Sequence, residues 1–242
     1  MQRSLIAGNW KMNSSKRNLS DLAEQLFNLE CDADVVIFPP NVYISDAVEA
    51  FSGASIAVGA QDVSENSRGA YTGEISSEML VDVGCEYCIV GHSERRSLFG
   101  EDNHKIAGKF YQASEVGLTP ILCLGETLNQ REKDETLDVI TAQLNAVVEY
   151  TGKVFPSDLV VAYEPIWAIG SGKSANTDQI QIVHKHIRCK LREKGLSAKI
   201  LYGGSVTPEN TKELLKESDI DGLLVGGASL DAKSFVQICK LA

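Results

Sequence analysis

Short apolar runs alternate with amphipathic stretches along the whole chain. The runs are Leu5–Trp10, Val35–Phe38, Ile56–Ala60, Tyr87–Val90, Pro120–Leu124, Leu159–Tyr163, Ile200–Tyr202 and Leu223–Val225, most of them rich in Val and Ile. A continuous apolar run suits a strand covered on both faces, as in a parallel sheet. Between the runs, apolar residues recur at helical spacing: Leu19, Leu22, Leu26 and Leu29; Leu137, Ile140, Leu144 and Val147; Ile180, Val183, Ile187 and Leu191. Ser15, Thr177, Thr207 and Ser229 stand where helix N-caps belong, and Pro208 fits a first helical position. Eight strands alternating with helices predict an α/β chain with a parallel sheet. One closed (β/α)8 barrel fits the count, since such barrels use about 250 residues and this chain has 242. A doubly wound open sheet is the second architecture the pattern allows. No Gly-, Ser- or Pro-rich linker divides the chain, so one domain over residues 1–242 is expected.

Charge and cysteine usage narrow the class of protein. The chain carries 23 Lys+Arg against 33 Asp+Glu, a net charge of −10. That balance argues against a nucleic-acid partner, which calls for a basic face. It leaves open a small anionic ligand, because a few local cations can override net charge. No apolar run approaches the roughly 18–20 residues that span a bilayer, so no membrane role is expected. The N-terminal stretch reaches Asn9, Trp10 and Lys11 before a signal-peptide core can form. The six cysteines, Cys31, Cys85, Cys88, Cys123, Cys189 and Cys239, read as free thiols in a reducing compartment, and a cytoplasmic location is expected. The one CxxC, Cys85 with Cys88, lacks the second pair a zinc site wants.

Candidate chemistry gathers where apolar runs end. Asn9 and Lys11 close the first run, and their spacing puts both side chains on one strand face. Lys11 is there either a fixed cation for an anionic substrate or an exposed strand-end lysine. In YCIVGHSERRSLFG, His92 sits between a strand end and a helix start. The helix dipole there disfavours an imidazolium, leaving a neutral ring able to donate to a carbonyl. A structural histidine is the competing reading. Glu94 and Arg95 accompany it, and Arg96 reads as part of a solvated charge cluster. In VVAYEPIWAIGSGKSA, Glu164 closes an apolar strand, where desolvation pushes a carboxyl pKa upward toward that of a general base. The residues that follow, Pro165, Ile166, Trp167, Ala168, Ile169, Gly170, Ser171, Gly172, Lys173, Ser174 and Ala175, read as a lid. Glycine pairs, Gly203-Gly204 before Ser205 and Gly226-Gly227, end the last two runs. Bare amides at such turns bind phosphate, and in eight-fold barrels the phosphate site commonly follows strands seven and eight.

Other features carry blander expectations. His184 and His186 do not face each other on a helix, so no metal site is expected there. His104 lies in a helix first turn. The segment Glu126–Asp138 reads as a solvated loop and helix face. Cys123 borders the site as a packed thiol. The polar stretch Gln61–Ser76 is long for a connection and reads either as a flexible surface loop or as one that docks into a partner subunit.

From Leu5 to Leu230 the chain resembles the triosephosphate isomerase family, through AGNWKMN, GAQD, GAYTGE, VGHSERR, CLGE, AYEPIWAIGSGKSA, YGGSV and GLLVGGASL. The resemblance implies interconversion of two triose phosphates without metal or organic cofactor. It implies Glu164 as base and His92 as neutral electrophile, with Lys11 and Asn9 on the substrate and Glu94 beside them. Gly170, Ser205, Gly226 and Gly227 would grip the phosphate, and the loop carrying Thr72 would enter a second copy's site in a homodimer. Asp62 stands where the family has Asn, and Ser171 and Ser174 where it has Thr. Another phosphosugar isomerase or epimerase on the same barrel remains an alternative, as does a catalytically silent phosphometabolite-binding protein.

Overall fold

The structure, a computed structural model, describes residues 3–152, 155–156, 158–169 and 175–242. Eight strands run β1 Leu5–Asn9, β2 Asp34–Phe38, β3 Ile56–Ala60, β4 Tyr87–Val90, β5 Thr119–Leu124, β6 Leu159–Tyr163, β7 Ala198–Tyr202 and β8 Gly222–Val225. Each pairs in parallel with the next, and β1 pairs with β8 (Leu5 opposite Gly222, Gly8 opposite Val225), so the sheet closes into a barrel. The helices are α1 Lys16–Leu26, α2 Ile44–Ala50, α3 Ser77–Asp82, α4 Ser93–Leu98, α5 Asn103–Glu115, α6 Leu128–Glu132, α7 Thr136–Thr151, α8 Thr177–Glu193, α9 Pro208–Leu214 and α10 Ala232–Leu241. The closed (β/α)8 barrel is the expected one, and the open sheet is excluded.

Strand alternation divides the apolar residues into two cores. Leu5, Ala7, Val36, Phe38, Ile89, Ile121, Cys123, Val160, Ala162, Leu201 and Leu224 pack together as one cluster, and their period-two spacing marks the barrel interior. The intervening residues, such as Ile6, Val35, Ile37, Val161 and Ile200, join the larger cluster with the helices. There Ile180, Val183, Ile187 and Leu191 of α8 are buried as their spacing predicts. Both faces of every strand are thus covered, which is why the strands read as unbroken apolar runs.

Several local expectations need correction. Polar first residues hid strand starts at Asp34 and Thr119, and Ala198–Lys199 was short of apolar signal at the start of β7. Leu29 lies beyond the end of α1. Ser15 caps α1, its hydroxyl accepting from the Asn18 N–H. For α8 the cap is Asn176, not Thr177, with Gln179 completing a capping box. Ser229 is buried inside a 3-10 turn, Gly227–Leu230, and Asp231 caps α10. Among the described residues no helix is long and apolar enough to cross a membrane.

Candidate active site

The inward parity of the strands delivers two side chains to the C-terminal mouth of the barrel. In β1 the inward series Leu5, Ala7 continues to Asn9, and in β6 the series Val160, Ala162 continues to Glu164. A cavity of about 360 Å³ opens there. Asn9, Lys11, His92, Glu164, Ser205, Gly226 and Gly227 all line it, together with Ile169, Gly203, Gly204, Val206, Thr207, Leu224 and Ala228. Close approach requires two of the surrounding glycines. A Cβ on Gly203 would come within 2.9 Å of Glu164 Cγ, and one on Gly125 would overlap the Glu164 carbonyl.

Lys11 reaches the cavity differently from the expected strand alternation. It lies past the end of β1 with φ 53, in the left-handed region. Asn9 Oδ1 accepts its backbone N–H at 2.9 Å. Its ammonium sits 2.5 Å from Glu94 Oε1. Glu94 itself stands behind Lys11, outside the cavity wall and with its side chain 43% exposed.

His92 caps α4, its Nδ1 accepting the Glu94 N–H at 3.2 Å. That bond occupies Nδ1 as an acceptor and places the ring proton on Nε2. Nε2 is 3.0 Å from Glu164 Oε1, and Glu164 Oε2 accepts the Ser93 N–H at 2.9 Å. Glu164 is only 2% exposed. Burial drives its carboxyl upward, but His92, the Ser93 N–H and Lys11 together outweigh burial and hold it below the ordinary value. The expectation of a raised carboxyl, drawn from the apolar strand alone, is reversed by partners that only the fold supplies. Burial likewise opposes charge on His92, yet the bonded Glu164 carboxylate outweighs it and lifts the ring above an ordinary histidine. The Glu94 N–H on Nδ1 requires the neutral ring and so opposes the pull of Glu164 toward charge.

Two charged residues lie deeper than expected. Glu126 is fully buried rather than solvated: its Oε1 accepts from Arg131, Tyr163 Oη at 3.1 Å and Trp167 Nε1 at 2.8 Å. Arg131 also stacks 4.6 Å over the Trp167 ring. Arg96 bonds the carbonyls of Gly91 and Cys123 and the side chain of Asn103, stapling the turn that carries His92. Beneath α4, Lys109 Nζ bridges Asp62, at 2.7 Å, and Glu101, while Arg95 reaches both acids. Asp62 thus joins a quartet of two acids and two bases, of which Lys109 and Glu101 are buried and Asp62 and Arg95 partly so. Burial raises its carboxyl, with Lys109 and Arg95 opposing.

Of the lid, Ile166–Ala168 forms a 3-10 turn, Ala175 is buried, and Gly170, Ser171, Gly172, Lys173 and Ser174 lie outside the described residues. Thr72 is exposed in a turn of the long loop, whose base is tied by the Ser64 N–H to the Ile75 carbonyl at 2.8 Å. All six cysteines are free. Burial lifts the Cys85 thiol to about 11 and pushes Cys88 and Cys123 up as well, so these thiols stay un-ionised at neutral pH. His184 is buried, and His186 meets Thr141 Oγ1 at 2.7 Å. Among the described residues no three His, Cys, Asp or Glu side chains are grouped to hold a metal ion.

A sequence model described as triosephosphate isomerase matches residues 4–242. The chain belongs to the triosephosphate isomerase family. It is 48% identical to the triosephosphate isomerase of Methylococcus capsulatus, covering 99% of this chain and 98% of that protein. The triosephosphate isomerase of Halorhodospira halophila is 47% identical over 100% and 99%, and that of Alcanivorax borkumensis 48% over 98% of each. The likeness spans the whole barrel.

Sequence reasoning did not find Ser93, Arg96 or Glu126 as supports of this site. Ser93 acts through its backbone, which carries no side-chain signal. Glu126 follows the apolar run of β5 in LCLGE, and that position was the available clue.

Proposed function

We propose that this barrel interconverts dihydroxyacetone phosphate and D-glyceraldehyde 3-phosphate, as its family membership implies, with Glu164 as the base. This is an intramolecular oxidoreduction of an aldose and a ketose, a step of glycolysis and gluconeogenesis. One observation carries the assignment of roles: Glu164, His92, Lys11 and Asn9 converge on a single cavity rimmed by glycine turns.

Glu164 leaves its bonds to His92 and Ser93 and removes a proton from the carbon beside the carbonyl. The same carboxyl returns the proton to the neighbouring carbon. Once Glu164 departs, His92 loses the charge that raised it, and burial, Lys11 and the helix N-terminus all favour the neutral ring. Its Nε2–H then donates to the developing enediolate oxygen, and the Lys11 ammonium supplies a permanent positive charge. Asn9 holds Lys11 and faces the substrate. Glu94 positions the ammonium. The turns after β7 and β8, with Ser205, Gly226, Gly227 and Gly170, receive the phosphate on backbone amides. The lid, residues 165–175, closes to exclude water and protect the intermediate. Acid–base chemistry suffices for this reaction and calls for no cofactor.

The working form is a homodimer. Met12 is 95% exposed, Val42 79% and Phe99 66%, exposed apolar side chains of the kind a second copy would cover. The protruding loop bearing Thr72 would reach the partner's site. The chain acts as one catalytic domain, and its free cysteines suit a reducing cytoplasm.

Deuterium exchange tests the base. In D₂O the unmodified protein should wash deuterium into C1 of dihydroxyacetone phosphate. Glu164→Gln should lose at least about 10²–10⁴-fold in that rate. A Glu164→Gln protein with near-normal exchange would sink the assignment.

A further inference from the structure

We propose that Gln61 is a positioning residue for Lys11, acting through the lysine's backbone. The proposal rests on the reading of Lys11 as the substrate's cation. Lys11 holds φ 53, a left-handed conformation that a non-glycine residue keeps only when its surroundings over-determine it. Two side chains do so. Asn9 Oδ1 accepts the Lys11 N–H at 2.9 Å, and Gln61 Nε2 donates to the Lys11 carbonyl at 2.8 Å. The same Gln61 nitrogen donates to the Phe38 carbonyl, also at 2.8 Å. Both acceptors are carbonyl oxygens, so the amide nitrogen must face them, and its two hydrogens are both used.

Phe38 ends β2, and its carbonyl also accepts the Trp10 N–H at 3.1 Å. Gln61 therefore ties the strained residue to the rigid end of a neighbouring strand. Glu94 fixes the far end of the Lys11 side chain, and Gln61 fixes the near end. Without the Gln61 amide the Lys11 peptide can turn toward the ordinary φ region, carrying the Cβ and the ammonium away from the cavity. No acid, base or leaving group is required of Gln61 itself, which is absent from the cavity wall.

A double-mutant cycle tests this. Gln61→Met keeps approximate size and removes both donors. With Lys11 present, kcat/KM on the triose phosphates should fall roughly 10- to 100-fold, the scale of a misplaced catalytic group. In a Lys11→Ala background the same change should cost less than about 3-fold, because the group it positions is gone. No loss with Lys11 present, or an equal loss in both backgrounds, overturns the proposal, the latter marking Gln61 as a general structural support. Lys11→Ala alone separates the two claims. Normal kcat/KM in that variant refutes the reading of Lys11, whereas a collapse there with no effect of Gln61→Met refutes only Gln61. Should Gln61→Met fail to fold, Gln61→Asn, one methylene short of both carbonyls, runs through the same cycle with the same criteria.

Discussion

Glu164 owes its charge to groups far away in the chain. Its own strand, Leu159–Tyr163, argues for a neutral, desolvated carboxyl, and the opposing groups come from His92, Ser93 and Lys11. His184 shows the other outcome. It is buried with Nδ1 2.9 Å from the Asp219 carbonyl, and burial takes its pKa from 6.5 to about 4. The unfolded chain therefore binds a proton near pH 6.5 that the folded chain refuses until about pH 4. Stability should fall as pH drops through that window, by about 3 kcal/mol from this residue. Glu164 adds a separate loss below its ordinary value of 4.5, as pH falls toward its lowered pKa. Urea midpoints between pH 7 and pH 4.5 check the histidine. His184→Asn keeps a donor near the Nδ1 position and should flatten the slope, and an unchanged slope would remove His184 as its source. The position of Glu164 was legible, because Val160, Ala162 and Glu164 share a strand parity. Its protonation state was not, since the deciding partner His92 stands at a different strand end.

The lid shoulder is an element held from below. Glu126 gathers Tyr163 from β6, Trp167 from the 3-10 turn and Arg131 from α6 on one buried oxygen. Glu126→Leu strands all three donors and should cost about 3 kcal/mol or more, as breaking a buried ion pair does. Trp167→Phe deletes one donor and should cost about 1 kcal/mol. Denaturant midpoints of the two variants, if equal, would show that Glu126 does not organise the shoulder. Reading Glu126–Asp138 as solvated followed its charge density, which is correct for exposed members such as Lys133 and Asp134. Burial of Glu126 depends on three partners, two of them about 40 residues away, so no local pattern reports it. The same limit explains Arg96, Glu101 and Lys109. The capping of α8 by Asn176 in place of Thr177 is a milder case, in which two adjacent residues both suit the role and only backbone geometry chooses.

At the scale of the whole molecule, the architecture was the most legible feature. Eight two-face-buried strands leave a repeated signature, and closure of β1 on β8 gives each strand two neighbours. The exposure of Met12 and Phe99 was less legible, because in sequence each looks like any core residue. Phe99→Glu puts a charge on the proposed subunit contact, so sedimentation should show monomers, with lowered kcat/KM. A variant that stays dimeric and fully active would place the contact elsewhere. The net charge of −10 excludes little at the site, where Lys11 and the glycine turns line the cavity. The most direct measurement is a coupled assay on the unmodified protein, offered dihydroxyacetone phosphate and, separately, ribulose 5-phosphate. We expect rapid formation of glyceraldehyde 3-phosphate from the first and no turnover of the second. Turnover of the pentose phosphate without turnover of the triose phosphate would contradict the proposed function.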